Sequence, residues 1–437
     1  MRTREELKRL ACEAIDKNRE RIIAFGDAIA AEPELGFKEY KTAAKFKALL
    51  EELDFDYRDG IALTGIVARR KGAKSKASVA IMAEMDAVIV PGHPCAVPET
   101  GAVHACGHNC MMAALAGVAM ALKDTGLMEE LCGDIVLMAV PAEEYVEIEY
   151  RNSLREQGKI HFLGGKQEFI RLGEMDNIDM MLMQHTVISN DVYKAGAGSP
   201  CNGFTGKLIR YIGKEAHAGA APYDGVNALN AAMLGLMAVH AQRETFRDED
   251  SIRVHPIITK GGDLVNVVPS DVRLETYVRG SNTKAIKDAS KKVNRAFRSG
   301  GDAVGAETVI TELPGYLPAV LNDKLMDLMY ENLKALVGEE NALRTCAGFG
   351  GGSSDQGDVS QLMPSLQAFF SGAIGGLHQE SFALEDKDMA YITAAKALIM
   401  LAIDLLAEDA GMALDVKEGF TPTLTKEEYL SDWGGIK

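Results

Sequence analysis

Apolar positions recur with a helical period through the first fifty residues. Leu10, Ile15, Ile22, Ile23, Phe25 and Ile29 share one face, and a second helical stretch spans residues 40–53, beyond Pro33 and Gly36. Short apolar runs of β character follow at 65–68 and 77–83, then a long helix after Asn109, a strand at 134–140 and another at 178–183. Strands alternating with helices predict an α/β layer whose sheet is mainly parallel and flanked by helices.

Near residue 195 the chain turns small and glycine-rich (AGAGSP), and the next hundred residues read strand, helix, strand, strand, helix, strand. The helices fall at 225–243 and 283–298, with strands near 252–260 and 271–279. That order predicts an inserted α+β satellite of split βαβ, ferredoxin-like type. From about residue 314 the α/β pattern resumes through a strand-like 366–370 and a closing helix at 389–407. The expected division is a main domain in two segments, 1–194 and 314–437, interrupted by a satellite at 195–313.

Composition narrows the possibilities. The chain has 437 residues and a net charge of −16, which argues against binding to nucleic acid or to anionic lipid. Residues 1–10 alternate charged and apolar positions, as an amphipathic helix does and a signal peptide does not. The longest purely apolar and glycine run, 111–122, is 12 residues, against the roughly 20 of a membrane span; no membrane partner is expected. Seven scattered cysteines suit reduced thiols in a cytoplasm better than a disulfide framework.

Chemistry concentrates at four places. His104-Ala105-Cys106-Gly107-His108-Asn109 opens the long helix, and in an extended loop Cys106 and His108 point the same way. Thiolate and imidazole both bind zinc-like metals, although a buried cysteine beside two backbone-satisfied histidines would read the same. Glu143-Glu144 follows the 134–140 strand, where open α/β sheets place their ligands. One carboxylate of such a pair can bind metal while the other takes a proton from the attacking water. Gln184-His185 ends another apolar strand, and His378 follows the glycine-rich 372–376. Each alone is weak; four together are a pattern.

In this order the motifs resemble the co-catalytic metallopeptidase and aminoacylase family that includes carboxypeptidase G, indole-acetyl-amino acid hydrolases and aminobenzoyl-glutamate hydrolase. The similarity runs through Ala83-Glu84-Met85-Asp86-Ala87, residues 104–109, Glu143-Glu144, Gln184-His185, His217-Ala218, Asn266-Val267-Val268-Pro269, Arg279, Gly352-Ser353-Ser354-Asp355, Gly357-Asp358-Val359-Ser360 and His378. It implies that Cys106, His108, Glu144, His185 and His378 hold two divalent metal ions, manganese or zinc first, with cobalt or nickel also suited. Glu143 is then the general base, and Asp86 orients a ligand. His217, Asn266 and Arg279 contact the substrate, the satellite forms a homodimer, and the matching histidine reaches the neighbouring chain's site.

Two departures stand out. Asn109, where many relatives carry aspartate, is similar to the second-subunit branch of aminobenzoyl-glutamate hydrolase and its dipeptidase relatives. After Glu144, relatives continue with glycines, whereas this chain reads Tyr145-Val146-Glu147-Ile148-Glu149-Tyr150-Arg151. The acidic Glu147 to Glu149 stretch suggests a preference for cationic substrates, and a solvated surface loop is the plainer reading.

The resulting expectation is a cytoplasmic, binuclear metal-dependent amidohydrolase cleaving a small N-acyl amino acid, an aminobenzoyl-glutamate-like conjugate or a dipeptide. Its alternatives are a dipeptidase for a cationic dipeptide, a thiol hydrolase using Cys106 with His104 or His108 as base, and a catalytically silent relative that binds an amino-acid conjugate.

Overall fold

The computed structural model describes residues 2–346 and 352–436. Among these, one compact unit takes residues 2–200, 320–346 and 358–426, and a second takes 201–319, 352–357 and 427–436.

The first unit is built on a sheet of nine strands among the described residues. At its centre Asp134–Val140, Ser78–Glu84, Met180–Ile188 and Ser365–Ile374 run parallel, each hydrogen-bonded to the next. Ser78–Glu84 and Asp134–Val140 are buried along their whole length, as strands covered on both faces must be. Antiparallel pairs enter on both sides of these four, with Ala195–Gly196 against Ser365–Ile374 on one side and a hairpin on the other. Tyr57–Ile61 and Gly65–Arg70 form a hairpin, and Gly65–Arg70 then pairs antiparallel with Asp134–Val140. The sheet is therefore mixed rather than mainly parallel. A three-residue link can join only antiparallel neighbours, and here it holds Ala62 and Leu63 at positive φ, without the glycine or asparagine that usually marks such a turn.

Behind the sheet lies the helix His108–Thr125, with every residue from His108 to Leu122 buried. The first fifty residues form Arg4–Lys17, Arg19–Ala30 and Tyr40–Glu52, with Asn18 ending the first of these helices. The stretch Asp388–Leu406 has the length and hydropathy of a membrane span, but 89% of it is buried inside the protein. It is a core helix, entered through a π-helical turn at Asp388–Thr393. Its Asp404 is paired with Lys8 at 2.6 Å, and Asn332 bridges both.

In the second unit Asp271–Gly280 pairs antiparallel with Gly203–Ile212 on one side and with Arg253–Val254 and Ile257–Lys260 on the other; Glu307–Leu313 completes the sheet. Helices Ala228–Ala241 and Thr283–Val304 supply the rest of the core. On Thr283–Val304 the buried Ala285, Ile286, Ala289, Val293, Ala296 and Phe297 recur every three or four residues, one stripe of a 3.6-residue period.

Lys8 and Asp404 tie the N-terminal helix to the core helix as a buried charge pair, so Lys8→Met leaves a buried carboxylate without its cation. Denaturant unfolding is expected to lose about 3 kcal/mol; a loss under about 0.5 kcal/mol, the range of inconsequential surface changes, would show that the pair anchors nothing.

Candidate metal centre

The four parallel strands end on the same edge, and the chemistry-bearing residues stand at those ends. Glu84 closes its strand, with Asp86 two residues beyond; Glu143 and Glu144 follow Val140; His185 lies near the end of Met180–Ile188. His378 follows Ser365–Ile374, and its N–H donates to Ala105 O at 2.9 Å, which fastens that loop beside Cys106. Cys106 and His108 are not in an extended loop. Gly107 turns the chain at φ +83°, and His108 is the first residue of its helix. Only a residue without Cβ takes that conformation freely.

The ligand atoms of Cys106, His108 and His185 lie within 4.8 Å of one another, and so do those of Cys106, Glu144 and His378. Cys106 belongs to both sets. Its Sγ is 3.4 Å from His185 Nε2, and His378 Nε2 is 3.0 Å from Glu144 Oε1. A third set joins Glu84, His108 and Glu143, with His108 Nε2 3.0 Å from Glu84 Oε2 and 3.9 Å from Glu143 Oε2. His108 Nε2, Glu144 Oε1 and Glu84 Oε2 are buried atoms with no hydrogen bond. Buried polar atoms without partners are rare. Here they face other electron-pair donors, an arrangement that a cation satisfies, so the residues present fit divalent metal.

The imidazoles are oriented for it. His108 Nδ1 meets the Asp86 carbonyl at 2.9 Å and the Asp86 carboxylate at 3.2 Å, and His185 Nδ1 meets Thr186 O at 2.6 Å. A carbonyl can only accept, so Nδ1 carries the proton in both rings and Nε2 is left for a ligand. Asp86 also accepts from the Glu144 N–H at 2.9 Å. One carboxylate thus touches both a histidine and the chain of a glutamate in the cluster.

Burial would raise the Glu144 carboxyl, but the His378 imidazole beside it outweighs this and holds it down to about 2. Burial works against a charged His108, yet Glu84 first, then Cys106 and Asp86, push it well up, so a metal binding at Nε2 would displace a proton from it. Burial lowers His185. Burial, and then the Glu144 carboxylate, push the Cys106 thiol well above its ordinary value. A thiol that stays protonated is a poor nucleophile, which weighs against the thiol-hydrolase reading. The same thiol deprotonates when it binds a metal.

Several contributors carry no motif in the sequence. Lys166, fully buried, pairs with Glu84. Arg151, also fully buried, donates to the Ala142 and Leu163 carbonyls at 3.1 and 2.7 Å. Glu39 is a buried carboxylate that accepts from the Ala142 N–H at 2.8 Å. Asn109, which the sequence does single out, donates to the Tyr391 hydroxyl at 2.9 Å within the core.

The stretch after Glu144 differs from the expected acidic loop. Ile148–Glu156 is a helix, Arg151 points into the core, and Glu147 is held by Lys38 Nζ at 2.7 and 2.8 Å. A carboxylate already matched by a lysine offers little attraction to a cationic substrate.

His217, Asn266 and Arg279 belong to the second unit. His217 bridges to Val267, and the Ala218 N–H donates to Asn266 O at 3.0 Å, so His217 and Asn266 are neighbours, both exposed. His217 Nδ1 accepts from the Gly219 and Ala220 N–H groups, each at 3.1 Å, which leaves an Nε2–H donor. Arg279 donates to Ser353 Oγ at 3.3 Å and lies against the Phe204 and Tyr277 rings.

Comparison with known proteins adds to this geometry. The description of peptidase family M20/M25/M40 matches residues 80–402. The chain is 28% identical over 447 residues to the Xaa-Arg dipeptidase of Mus musculus, covering 98% of this chain and 95% of that one. A Bacillus subtilis protein described as a dinuclear metal binding peptidase from the M20 family superposes with a TM-score of 0.65 at 21% identity, covering 90% of this chain and 99% of that one. The aminobenzoyl-glutamate utilization protein of Klebsiella pneumoniae does so with a TM-score of 0.68 at 18% identity, covering 90% and 98%. At these identities the two structures attest to the fold.

Proposed function

Because the chain belongs to peptidase family M20/M25/M40, and is accordingly a metal-dependent hydrolase, we propose that it uses two divalent ions per chain to cleave the amide bond of a small N-acyl amino acid, aminobenzoyl-glutamate-like conjugate or dipeptide. The observation that carries this reading is the meeting of two three-ligand sets at Cys106. Five donors of mixed type exceed the four of a closed mononuclear zinc site. The description of the similar Bacillus subtilis protein as dinuclear supports the same count. Cys106, His108 and His185 would hold one ion, and Cys106, Glu144 and His378 the other. Nitrogen, oxygen and sulfur together suit manganese or zinc, with cobalt and nickel also compatible.

Such ions supply a Lewis acid for the carbonyl and lower the pKa of the attacking water. Glu143, 3.9 Å from His108 Nε2, takes the proton from that water and returns it to the leaving amine. Asp86 holds His108 and the Glu144 backbone in place. His217, with its Nε2–H donor, is assigned to the developing oxyanion, and Asn266 and Arg279 to the substrate, whose carboxylate a guanidinium binds through paired hydrogen bonds.

Likeness over 98% of the chain to an Xaa-Arg dipeptidase favours a second reading in which the substrate is a dipeptide with a cationic C-terminal residue. Asn109 and Gly357-Asp358-Val359-Ser360 favour the second-subunit-like branch of aminobenzoyl-glutamate hydrolase. The second unit, read as a ferredoxin-like satellite, leaves Met233, Leu234 and Met237 exposed on one helix. That apolar face suits an isologous homodimer. The burial of Cys106, Cys110, Cys132 and Cys346 as single thiols is compatible with a reducing cytoplasm.

An amide panel with manganese or zinc added, scored by free amine, tests the reading. Chelation should abolish turnover and metal restore it. Glu143→Gln should keep its metal but lose about two to four orders of magnitude in turnover, whereas Glu144→Ala and Cys106→Ala should lose metal. The opposite behaviour of the two glutamates would exchange their roles, and metal binding indifferent to Cys106, His108 and Glu144 would refute the site.

Mixing Glu143→Ala and His217→Ala subunits after dissociation tests the shared site. Random pairing makes half the dimers mixed, each with one complete site, so about a quarter of wild-type activity should return. No recovery despite mixed dimers confirmed by mass would mean that His217 works in its own chain or not at all.

A further inference from the structure

Ala142 stands between the strand Asp134–Val140 and Glu143, and its φ is +56°. That is the left-handed region, where a side chain crowds the backbone and the conformation persists only if its surroundings hold it. Both backbone groups of Ala142 are held. Its N–H donates to Glu39 Oε1 at 2.8 Å, and its carbonyl accepts from Arg151 Nη1 at 3.1 Å. Glu39 and Arg151 are both fully buried and come from opposite sides of the motif in sequence.

Each of the two is fixed in turn. The second oxygen of Glu39 accepts from Thr64 Oγ1 at 2.7 Å. Arg151 Nη1 also reaches Leu163 O at 2.7 Å, its Nη2 is 3.9 Å from Asp86 Oδ2, and the Phe37 ring lies 5.4 Å away. The chain leading to Glu39 crosses the guanidinium so closely that a Cβ on Gly36 would come within 2.1 Å of Arg151 Nη2 and 2.9 Å of Ala142 Cα. No side chain fits there.

We propose that Glu39 and Arg151 are positioning residues that clamp the Ala142 peptide in its left-handed conformation and thereby aim the Glu143 carboxylate. The proposal rests on Glu143 as general base and adds what holds it. Released from either grip, Ala142 relaxes toward negative φ, and the direction of the Cα–Cβ bond at the next residue swings with it. A carboxylate displaced by an ångström still sits in the site but meets the water's proton poorly. The clamp acts on turnover, not on substrate affinity. Burial first, and then Asp86, raise the Glu39 carboxyl to about 7, so glutamine imitates it at neutral pH and keeps an acceptor for the Ala142 N–H.

The test uses the metal-loaded full chain and separates the clamp from the base. Glu39→Leu and Arg151→Lys should each lower kcat by about ten- to a hundred-fold, the scale of a small misplacement of a catalytic group. KM and metal content should stay at wild-type values, and Glu39→Gln should recover most of the loss. In a Glu143→Gln background, Glu39→Leu should cost nothing further, because both changes remove the same contribution. Should Glu39→Leu fail to fold, Arg151→Lys, which keeps the buried positive charge, carries the same comparison. Wild-type kcat in Glu39→Leu or Arg151→Lys, with Glu143→Gln inactive, would overturn the clamp and spare the base. So would a full additional loss in the double variant, which marks a merely structural role. Wild-type turnover in Glu143→Gln would instead remove the base and the clamp with it.

Discussion

A charge taken out of water must find a partner, and this requirement organises the first unit around His108. Glu84, Asp86, Arg151 and Lys166 are all buried, where an unpaired ion costs several kcal/mol. Lys166 answers Glu84, Arg151 lies beside Asp86, and Asp86 holds His108 Nδ1. These pairings fix the floor of the site. What they leave over, His108 Nε2, Glu144 Oε1 and Glu84 Oε2, is a set of buried atoms without hydrogen bonds that faces Cys106, Glu143 and His378.

Topology decides where that remainder gathers. Four parallel strands deliver their carboxyl ends to one edge, and each sends ligand-type residues there: Glu84 with Asp86, Glu143 with Glu144, His185, and His378. The long buried helix starts at the same edge with His108. Crossover connections require the chain to leave and re-enter the sheet between parallel strands, so residues nearly three hundred positions apart are brought together with few local constraints on their loops. In the second unit, where antiparallel strands surround Asp271–Gly280, the exposed His217 and Asn266 are neighbours through a single bridge.

The parts of this arrangement that are legible in the sequence are those written locally. Cys106 and His108 two apart, Glu143 beside Glu144, and histidines at the ends of apolar runs are short patterns whose chemistry does not depend on distant residues. The strand Asp134–Val140 reads directly from its apolar run. Arg151, Lys166 and Glu39 are illegible because a charged letter says nothing of its burial, and Arg151 sits in a run of acidic residues that looks solvated. Glu147 misleads for the complementary reason: its partner Lys38 lies more than a hundred residues away. The antiparallel margin of the sheet escapes because Ala62 and Leu63 turn the chain without a turn-forming residue. The core helix resembles a membrane span in composition because a helix buried on all sides has the same apolar requirement in protein as in lipid.

Cys106 Sγ belongs to two three-ligand sets, and in the proposed site it would serve two ions. X-ray absorption at the zinc edge of zinc-loaded protein tests it directly, because sulfur near 2.3 Å is distinct from the nitrogen and oxygen ligands at about 2.0 to 2.2 Å. With Cys106 shared between both ligand sets, the spectrum should show two zinc ions per chain and about one sulfur for each zinc, and the sulfur signal should vanish in Cys106→Ser. A fully loaded protein whose zinc shows no sulfur, or sulfur on only half of its ions, would contradict the shared thiolate.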